Sequence, residues 1–328
     1  MKAIVYTKYG PPEVLQLKEV EKPVPKDDEV LVKVIAASVN AADWHMLTAD
    51  IFLVRFMGGG VLKPKNNILG LDVAGVVEDV GKSVKQIRPG DEVFGDISID
   101  GSGSFAEYAC AKESALVLKP TNISFEEAAA VPVAGITALQ GLRDQGRIRP
   151  GTRVLINGAS GGVGTFAVLI AKAFGGEVTA VTSPRNLDQA RALGADHVIN
   201  YTNEDFTDKG RQYDLILAAN GYHPISAYKH ALTPEGIYVM AGGKPAQMFQ
   251  AILFGPLLSE KRGKKLKIVS AKPDQEDLVC LKDLLEAGKI VPAIDKTFPL
   301  SEVPDALRYV GEGHARGKVV ITVATRRA

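Results

Sequence analysis

Residues Asn157–Gly164 read NGASGGVG, and this stretch decides how the middle of the chain folds. A short apolar stretch precedes it, and an apolar stretch compatible with a helix, Gly162–Phe174, follows it. Aligned to the dinucleotide-binding fingerprint, Ala159, Gly161 and Gly164 take the three glycine positions. A strand, a glycine-rich turn and a helix start in this order can present free backbone N–H groups to a phosphate. The stretch therefore predicts a dinucleotide loop rather than a plain surface turn.

The alternation of strand and helix continues after this loop. Short apolar stretches typical of buried strands recur at crossover spacing, and a predicted helix, Leu187–Leu193, lies between two of them. Strands that alternate with helices and short glycine turns predict a doubly wound parallel sheet, the Rossmann arrangement of an α/β fold. The predicted strands are Arg153–Asn157, Val178–Thr182, His197–Asn200, Asp214–Ala219 and Ile237–Ala241.

The first third of the chain has a different pattern, with short strands separated by Gly, Pro and Asp. Val30–Ala36 and Val73–Val80 are rich in Val and Ile, which favours a small barrel-like β domain. The pattern changes near Ser124, where a helix over Phe125–Gln145 is predicted, and unlike elements return after the parallel sheet. The expected domains are a discontinuous β domain, residues 1–124 with 268–328, and a Rossmann domain, residues 125–267.

Composition excludes several classes of protein. A length of 328 residues suggests about two domains, and 46% hydrophobic with 23% charged residues argues against disorder. The 39 basic and 38 acidic residues nearly balance, so we expect no nucleic-acid partner. Two cysteines, Cys110 and Cys280, exclude a disulfide scaffold and favour a reducing cytoplasm. We also expect neither a targeting segment nor an integral membrane segment.

The end of the second predicted strand of the Rossmann domain distinguishes NADP from NAD. NAD-binding folds usually carry Asp or Glu there, to bind the ribose 2′-hydroxyl. This chain has TSPRN over Thr182–Asn186, without an acid. Ser183 and Arg185 suit a 2′-phosphate, which a carboxylate would repel. The alternative is that Arg185 is only a surface charge ahead of a helix. We predict NADPH as the cofactor.

Eight motifs lie along nearly the whole chain and are specific as a set. They are MKAIVYTKYGPPEVLQL, ASVNAADWHM, ILGLDVAGVVEDVG, RPGDEVFG, AAAVPVAGITAL, NGASGGVG, LGADHVINY and GHARGKVVI. Together they resemble the medium-chain dehydrogenase/reductase superfamily. Its zinc alcohol dehydrogenases bind the catalytic metal with a Cys, a His–Glu pair and a second Cys, where this chain has Asn40, Leu71–Asp72 and Val133. A catalytic zinc needs three protein ligands, so we expect no zinc.

This departure resembles the zinc-free quinone oxidoreductase branch, the zeta-crystallin-like proteins. The resemblance implies a GroES-like β domain, a homodimer, and NADPH-dependent hydride transfer to a quinone or to the activated C=C bond of an enone or alkenal. We predict that Asn40 is the catalytic donor to the negative charge that develops on the acceptor oxygen. The expected cofactor-binding residues are Ser160, Gly161, Gly162, Val163 and Gly164 in the loop, Ser183, Arg185 and Tyr201 at the adenosine phosphate, and His314, Ala315 and Arg316 over the cofactor.

Two rival functions remain open: a non-catalytic NADPH-binding protein, and an NADP-dependent carbonyl or alcohol dehydrogenase. The neighbours of Asn40 also allow two interpretations. Trp44 and His45 can shape a site for a flat substrate, or the single Trp can fill a core at the domain junction. Asp43 and Asp72 can form a carboxylate pair, although we favour Asp43 fixing the loop and Asp72 binding backbone.

A last segment has an unusual composition. Met248–Leu258 is apolar, and a basic run that ends at Lys267 follows it. We favour a loop over the substrate cleft with a solvated charged flank, and the alternative is a surface for anionic lipids. The expected pocket loops, Leu47–Asn67 and Gly243–Lys267, match no pattern that identifies the natural acceptor.

Overall fold

The protein is described from a computed structural model, which covers residues 1–50, 60–98, 103–207, 210, 212–221, 223–243, 259 and 263–324. The chain forms two compact units. The first comprises Met1–Val133, Pro273–Glu286 and Ile294–Ala328, and the second comprises Ala134–Lys272 and Ala287–Ala293. The domain limits expected at residues 124 and 268 remain a prediction.

The described residues form fifteen strands and eight α-helices. The strands are β1 (Lys2–Val5), β2 (Gln16–Glu19), β3 (Glu29–Val39), β4 (Asp72–Val80), β5 (Glu92–Asp96), β6 (Tyr108–Lys112), β7 (Leu116–Leu118), β8 (Arg153–Asn157), β9 (Glu177–Thr182), β10 (His197–Asn200), β11 (Tyr213–Ala218), β12 (Leu232–Met240), β13 (Lys265–Ile268), β14 (Ile294–Pro299) and β15 (Lys318–Thr322). The α-helices are α1 (Ala41–Thr48), α2 (Phe125–Ala129), α3 (Pro132–Leu139), α4 (Gly162–Ala173), α5 (Leu187–Ala192), α6 (Ile225–Ala231), α7 (Gln275–Glu286) and α8 (Val303–Gly311).

The second unit contains a six-stranded parallel sheet in the order β10-β9-β8-β11-β12-β13. Strand β8 carries Val154, Leu155 and Ile156 in succession, all fully buried, as expected for a parallel strand with both faces covered. The chain builds outward from β8 on one side and from β11 on the other. The strand order therefore reverses between β8 and β11, the position at which doubly wound sheets bind ligands. The predicted α/β class and Rossmann sheet are confirmed.

The first unit is built on a seven-stranded sheet, with the order β14-β15-β3-β4-β5-β7 and β6 also paired to β3. Strand β3 is the longest, with 11 residues, and it pairs with β15, β4 and β6 in antiparallel registers. Residue Asp72 lies opposite Ser38 of β3 on one side and opposite Asp96 of β5 on the other. Val319 lies opposite Val39, so the ends of four strands bring their polar residues together.

The single helix predicted over Phe125–Gln145 is wrong. A first helix begins after Ser124, whose hydroxyl accepts from the N–H of Glu127 at 3.1 Å, and it ends at Ala129. A second begins at Pro132, and a π-helical turn follows over Gln140–Gln145. Proline has no N–H for a hydrogen bond to the preceding turn and restricts the residue before it, so the helix is interrupted.

Helices α1 and α8 of the first unit pack closely at a glycine. A Cβ atom at Gly311, the last residue of α8, would lie 2.3 Å from Cε3 of the Trp44 ring. We expect Gly311→Ala to lower the free energy of unfolding by about 1–3 kcal/mol through this overpacking. Denaturant unfolding followed by circular dichroism measures the change.

A double-mutant cycle with Trp44→Leu separates the clash from other effects of the substitution. Once the ring is removed, Gly311→Ala should become neutral or stabilising, because Ala is preferred to Gly in a helix by roughly 0.5–1 kcal/mol. An equal loss of stability in both backgrounds would show that the Trp44 contact is not the cause.

Candidate active site

The glycine-rich loop joins the end of β8 to the start of α4. Gly158 has a φ of +81°, and a Cβ atom there would lie 2.7 Å from the backbone nitrogen of Asn220. A Cβ atom at Gly164 would lie 2.0 Å from the carbonyl oxygen of Gly158, so only glycine lets α4 approach the strand this closely. At Gly161 the nearest atom would be 4.0 Å away. Gly158 and Gly164 therefore close the loop tightly, and the side of the loop at Gly161 is open.

The start of α4 presents backbone donors beside this open side. Gly161 is the residue before the helix, which runs for 12 residues. The N–H groups of Gly162, Val163 and Gly164 occupy the first turn, where no carbonyl of the same helix can accept from them. These groups and the positive end of the helix dipole favour an anion. Ser160 precedes them in the loop, so the loop residues predicted to bind the cofactor lie together.

The end of β9 brings together the residues predicted to bind the adenosine phosphate. The N–H of Tyr201 donates to the carbonyl oxygen of Thr182 at 3.2 Å, and the Tyr201 side chain is exposed. Ser183 accepts from the Asn186 side-chain amide at 3.1 Å, and Arg185 is exposed on the short turn between them. Among the described residues, the buried Thr182 hydroxyl and Asn186 amide oxygen have no hydrogen-bond partner. Two buried polar atoms at this edge fit a bound polar group.

The first unit contains a buried group of polar side chains where β3, β4, β5 and β15 meet, here called the Lys318 cluster. Each member is at most 7% exposed. The sheet registers described above place these side chains together, although their positions in the sequence span almost the whole chain. The members are Ser38, Asn40, Asp43, Asp72, Asp96 and Lys318.

Asp72 and Lys318 form a buried ion pair in this cluster. The Lys318 ammonium lies 3.2 Å from Oδ2 of Asp72 and 2.6 Å from Oδ1 of Asn40. Nδ2 of Asn40 donates to the same Asp72 oxygen at 2.8 Å, and the Ser38 hydroxyl also donates to it. The other carboxylate oxygen accepts from the backbone N–H of Val133 at 2.8 Å. Four donors therefore compensate the burial of the Asp72 charge.

Two further carboxyl groups lie beside this pair. Asp43 accepts from the backbone N–H of Asn40 at 2.8 Å and from that of Gly70 at 3.1 Å. Burial raises the pKa of Asp43 to about 7, and the charge of Asp72 adds to the effect. Burial, with a smaller contribution from Asp72, raises the pKa of Asp96 to about 6. Asp43 therefore keeps its proton to about pH 7, and Asp96 keeps its proton to about pH 6.

The cluster agrees with the favoured interpretation of its two acids, since Asp43 fixes the loop at Asn40 and Asp72 binds the Val133 backbone. Sequence reasoning missed Ser38 and Lys318. The available signal was a lysine at the head of an otherwise apolar strand, KVVIT. Such a lysine needs a partner when the strand is buried, but the sequence does not identify that partner.

The C-terminal segment over His314, Ala315 and Arg316 is held by Asp295. One oxygen of Asp295 accepts from the N–H of Arg316 at 2.9 Å and from the Tyr309 hydroxyl at 2.8 Å. Nδ1 of His314 lies 3.2 Å from the Glu312 carboxylate, and the His314 side chain is half exposed. These contacts fix the segment, and its role over the cofactor remains a prediction.

The two ring side chains near Asn40 differ in their surroundings. Trp44 packs against Gly311 and is partly buried. His45 lies 2.8 Å from the Asp50 carboxylate, and both are partly exposed. Neither contact tests a role in substrate binding.

The expected pocket loops are described only in part. Residues 51–59 of Leu47–Asn67 lie outside the described residues, and so do 244–258 and 260–262 of Gly243–Lys267, which include all of Met248–Leu258. Within the described ranges, no group of three or more His, Cys, Asp and Glu side chains is arranged to hold a metal ion. A search of the same ranges finds no helix with the length and apolarity needed to cross a membrane.

The raised pKa of Asp43 makes a prediction for stability. An unfolded Asp loses its proton near pH 4, whereas folded Asp43 keeps it to about pH 7. The folded state therefore binds more protons in this window, and the free energy of unfolding falls as pH rises, by at most about 1.4 kcal/mol per pH unit for this group. Asp43→Asn should flatten that fall in denaturant unfolding between pH 4 and pH 7.

Asp196→Asn is the control for the pH experiment. Burial raises the pKa of Asp196, but hydrogen bonds from Lys172 and from the N–H of Val178 outweigh this and lower it. Its contribution to stability is present above about pH 4 and is lost below that value, so this variant should keep the slope between pH 4 and 7. An unchanged slope in Asp43→Asn would contradict the assignment.

Comparison with known proteins identifies the family. Residues 26–121 match the alcohol dehydrogenase GroES-like domain, and residues 193–321 match the zinc-binding dehydrogenase family. The chain is 37% identical over 332 residues to 2-methylene-furan-3-one reductase of Solanum lycopersicum, covering 98% of this chain and 79% of that protein. It is 34% identical over 333 residues to the chloroplastic NADPH-dependent alkenal/one oxidoreductase of Arabidopsis thaliana, with the same coverages.

A solved structure of a similar protein has the same fold. The quinone oxidoreductase from Coxiella burnetii superposes with a TM-score of 0.86, at 31% identity and over 99% of each chain. The expected combination of a Rossmann sheet and a GroES-like domain is thereby confirmed. The chain belongs to the medium-chain dehydrogenase/reductase superfamily, among its quinone oxidoreductase-like members.

Proposed function

We propose that this protein transfers a hydride from NADPH to a quinone, or to the activated C=C bond of an enone or alkenal, without zinc. The observation that carries the proposal is the Lys318 ammonium beside Asn40 and Asp72. Zinc relatives carry metal ligands at or next to these positions. Asp72, the one possible metal ligand at these positions, already pairs with the Lys318 ammonium, and neither the Asn40 amide nor the apolar Leu71 and Val133 can bind Zn²⁺ as a thiolate or imidazole would.

The loop geometry supports a dinucleotide in the second unit. The first-turn N–H groups of Gly162, Val163 and Gly164 would bind the pyrophosphate beside the open side of Gly161. Ser183, Arg185 and Tyr201 would bind the 2′-phosphate, and the His314–Arg316 segment would close over the cofactor. NADPH, when bound, supplies a hydride from its nicotinamide ring. The names of an NADPH-dependent alkenal/one oxidoreductase and of a quinone oxidoreductase among the similar proteins support this cofactor and acceptor class.

Asn40 would stabilise the charge that the hydride creates. As a C–H bond forms at the acceptor carbon, the conjugated electron pair moves to the acceptor oxygen. One N–H of the Asn40 amide donates to Asp72, and an amide carries two, so the second can donate to that oxygen. Conjugation spreads the charge, so a neutral donor is sufficient, and the anion then takes up a proton from water.

The test of this function is NADPH oxidation with four acceptors: 9,10-phenanthrenequinone, 1,4-naphthoquinone, trans-2-hexenal and the saturated hexanal. Turnover with a quinone or with hexenal, and none with hexanal, is expected. Turnover with hexanal as the best acceptor indicates the carbonyl or alcohol dehydrogenase instead. Cofactor binding without turnover of any acceptor indicates a non-catalytic NADPH-binding protein.

Asn40→Ala tests the donor in the same assay. We expect kcat to fall by about 10²-fold, as on loss of an oxyanion donor, with little change in the Kd for NADPH. Asn122→Ala is the matched control, because it removes another amide of the first unit, one that donates to the Leu285 carbonyl at 3.0 Å. Full activity in Asn40→Ala would reduce Asn40 to a loop-forming residue.

Arg185 tests the choice of NADPH over NADH. Arg185→Gln should raise the Kd for NADPH about tenfold, since one charge-assisted contact to phosphate supplies about 1.4 kcal/mol, and should leave the Kd for NADH unchanged. Fluorescence titration measures both constants. Arg191→Gln is the control, because this nearby arginine pairs with Asp188 at 2.8 Å. An equal effect of Arg185→Gln on both cofactors would contradict a 2′-phosphate contact.

The homodimer and the cytoplasmic location stay predictions. The homodimer rests on the family resemblance, and the location rests on the low cysteine content. The natural acceptor is proposed only as a chemical class, a conjugated small molecule with an oxygen that can carry negative charge.

A further inference from the structure

The Asn40 amide can adopt only one orientation in its surroundings. An ammonium can only donate hydrogen bonds, and a carboxylate without a proton can only accept them. Oδ1 of Asn40 therefore faces the Lys318 ammonium at 2.6 Å, and Nδ2 faces Asp72 at 2.8 Å. The opposite orientation would place donor against donor and acceptor against acceptor. The direction of the remaining Asn40 N–H is consequently set by Lys318 and Asp72 together.

The backbone of Asn40 is held as firmly as its side chain. Its N–H donates to Asp43 at 2.8 Å, and the other oxygen of that carboxyl accepts from the N–H of Gly70 at 3.1 Å. Asn40 also lies between the end of β3 and the start of α1. A donor fixed at both ends need not reorganise when charge develops opposite it, which is the condition for efficient electrostatic stabilisation.

The charge of Lys318 acts on the amide as well as orienting it. Its ammonium is 2% exposed and Asn40 is 7% exposed, so solvent screens their interaction only weakly. The positive charge of Lys318, which lies next to the amide oxygen, draws electrons away from the amide nitrogen. The remaining N–H of that nitrogen therefore becomes a stronger donor. Lys318 thus delivers its effect through Asn40 while itself remaining buried.

We propose that Lys318 is a positioning residue for hydride transfer, which orients and polarises the Asn40 amide so that its free N–H stabilises negative charge on the acceptor oxygen. This inference rests on the proposed function. The hydride pair forms the new C–H bond, the conjugated pair moves to oxygen, and water supplies the proton. Lys318 transfers no proton in this step. The rival explanation is that Lys318 only neutralises Asp72 and has no effect on the reaction.

The two explanations differ in how the rate depends on the acceptor. Phenyl vinyl ketones with para substituents of graded electron withdrawal vary the charge carried by the carbonyl oxygen. When the protein stabilises that charge less, the substrate must carry more of it, and the rate becomes more sensitive to the substituent. Single-turnover oxidation of bound NADPH gives this sensitivity as the slope of log rate against the substituent constant.

Lys318→Met is the central variant. We expect a rate lower by about 10²-fold with the least electron-withdrawing acceptor, a smaller loss with the most electron-withdrawing one, and hence a steeper slope. The Kd for NADPH should change little. Lys318→Arg keeps a charged donor and should recover about tenfold of the rate and part of the slope. A wild-type slope in Lys318→Met, or no recovery in Lys318→Arg, overturns the inference.

Two further variants keep the test decisive. The double variant Asp72→Asn with Lys318→Met leaves no unpaired buried charge, so it can be measured even where Lys318→Met alone does not fold. This double variant should show the steep slope. A wild-type slope in the double variant also overturns the inference. Lys119→Met is the matched control, because Lys119 is a buried lysine of the same unit that donates to the carbonyls of Pro120 and Ile123 at 2.8 and 2.7 Å. It should lose stability and keep the wild-type slope.

The experiment separates failure of this inference from failure of the proposed function. If wild-type protein reduces the ketones and Lys318→Met has the wild-type slope, the proposed function stands and the inferred role of Lys318 is wrong. Wild-type protein that oxidises NADPH with none of the ketones, with neither quinone and not with trans-2-hexenal overturns both.

Discussion

A lysine ammonium buried where four strands end constrains the whole first unit. A charge removed from water must be paired and hydrogen-bonded, and breaking a buried pair costs about 3–5 kcal/mol. Lys318 meets this requirement through Asp72 and Asn40, and Asp72 in turn requires the N–H of Val133. Burial, with a smaller contribution from the negative charge of Asp72, keeps Asp43 protonated to about pH 7. One ion pair therefore sets the hydrogen bonding around it and contributes to the protonation of its neighbours.

Under the proposed function, the same ion pair explains why this family member suits conjugated acceptors. Zinc relatives stabilise the alkoxide of a simple alcohol or aldehyde with a metal cation. In the proposed mechanism the cation is an ammonium that already bonds Asn40 and Asp72, so its influence would reach a substrate only through a neutral amide. Such a donor would be too weak for a localised alkoxide but sufficient for a quinone or enone, in which the charge is spread. The geometry and the proposed chemistry therefore support each other.

Local patterns in the sequence predicted the second unit well. The bounds of β8 and β10 match the predicted strands Arg153–Asn157 and His197–Asn200, because continuous apolar runs between glycine turns identify buried parallel strands. Ser183 and Tyr201 were expected together from the family resemblance, and the parallel pairing of β9 with β10 brings them to one edge of the sheet. The break before Pro132 was missed, because strong apolar content on both sides concealed it.

The Lys318 cluster could be predicted only in part. Asn40 and Asp72 were found because they replace metal ligands of related proteins. Their partner Lys318 was missed, since it follows them by 278 and 246 residues and only the strand pairing of β15 with β3 brings it to them. Helix α1 was missed as well, because AADWHMLT lacks a clear apolar stripe. Local sequence patterns do not reveal contacts that depend on sheet register between strands distant in sequence.

The most direct test of this account is the rate of NADPH oxidation by metal-free protein. Protein treated with a chelator, and shown by elemental analysis to hold no stoichiometric zinc, is mixed with NADPH and 1,4-naphthoquinone, with and without added Zn²⁺. The account predicts the full rate without metal and no gain on adding zinc, because the Lys318 ammonium already bonds Asn40 and Asp72 beside the metal position of the zinc relatives. Activity that is lost with the metal and restored by zinc would contradict it.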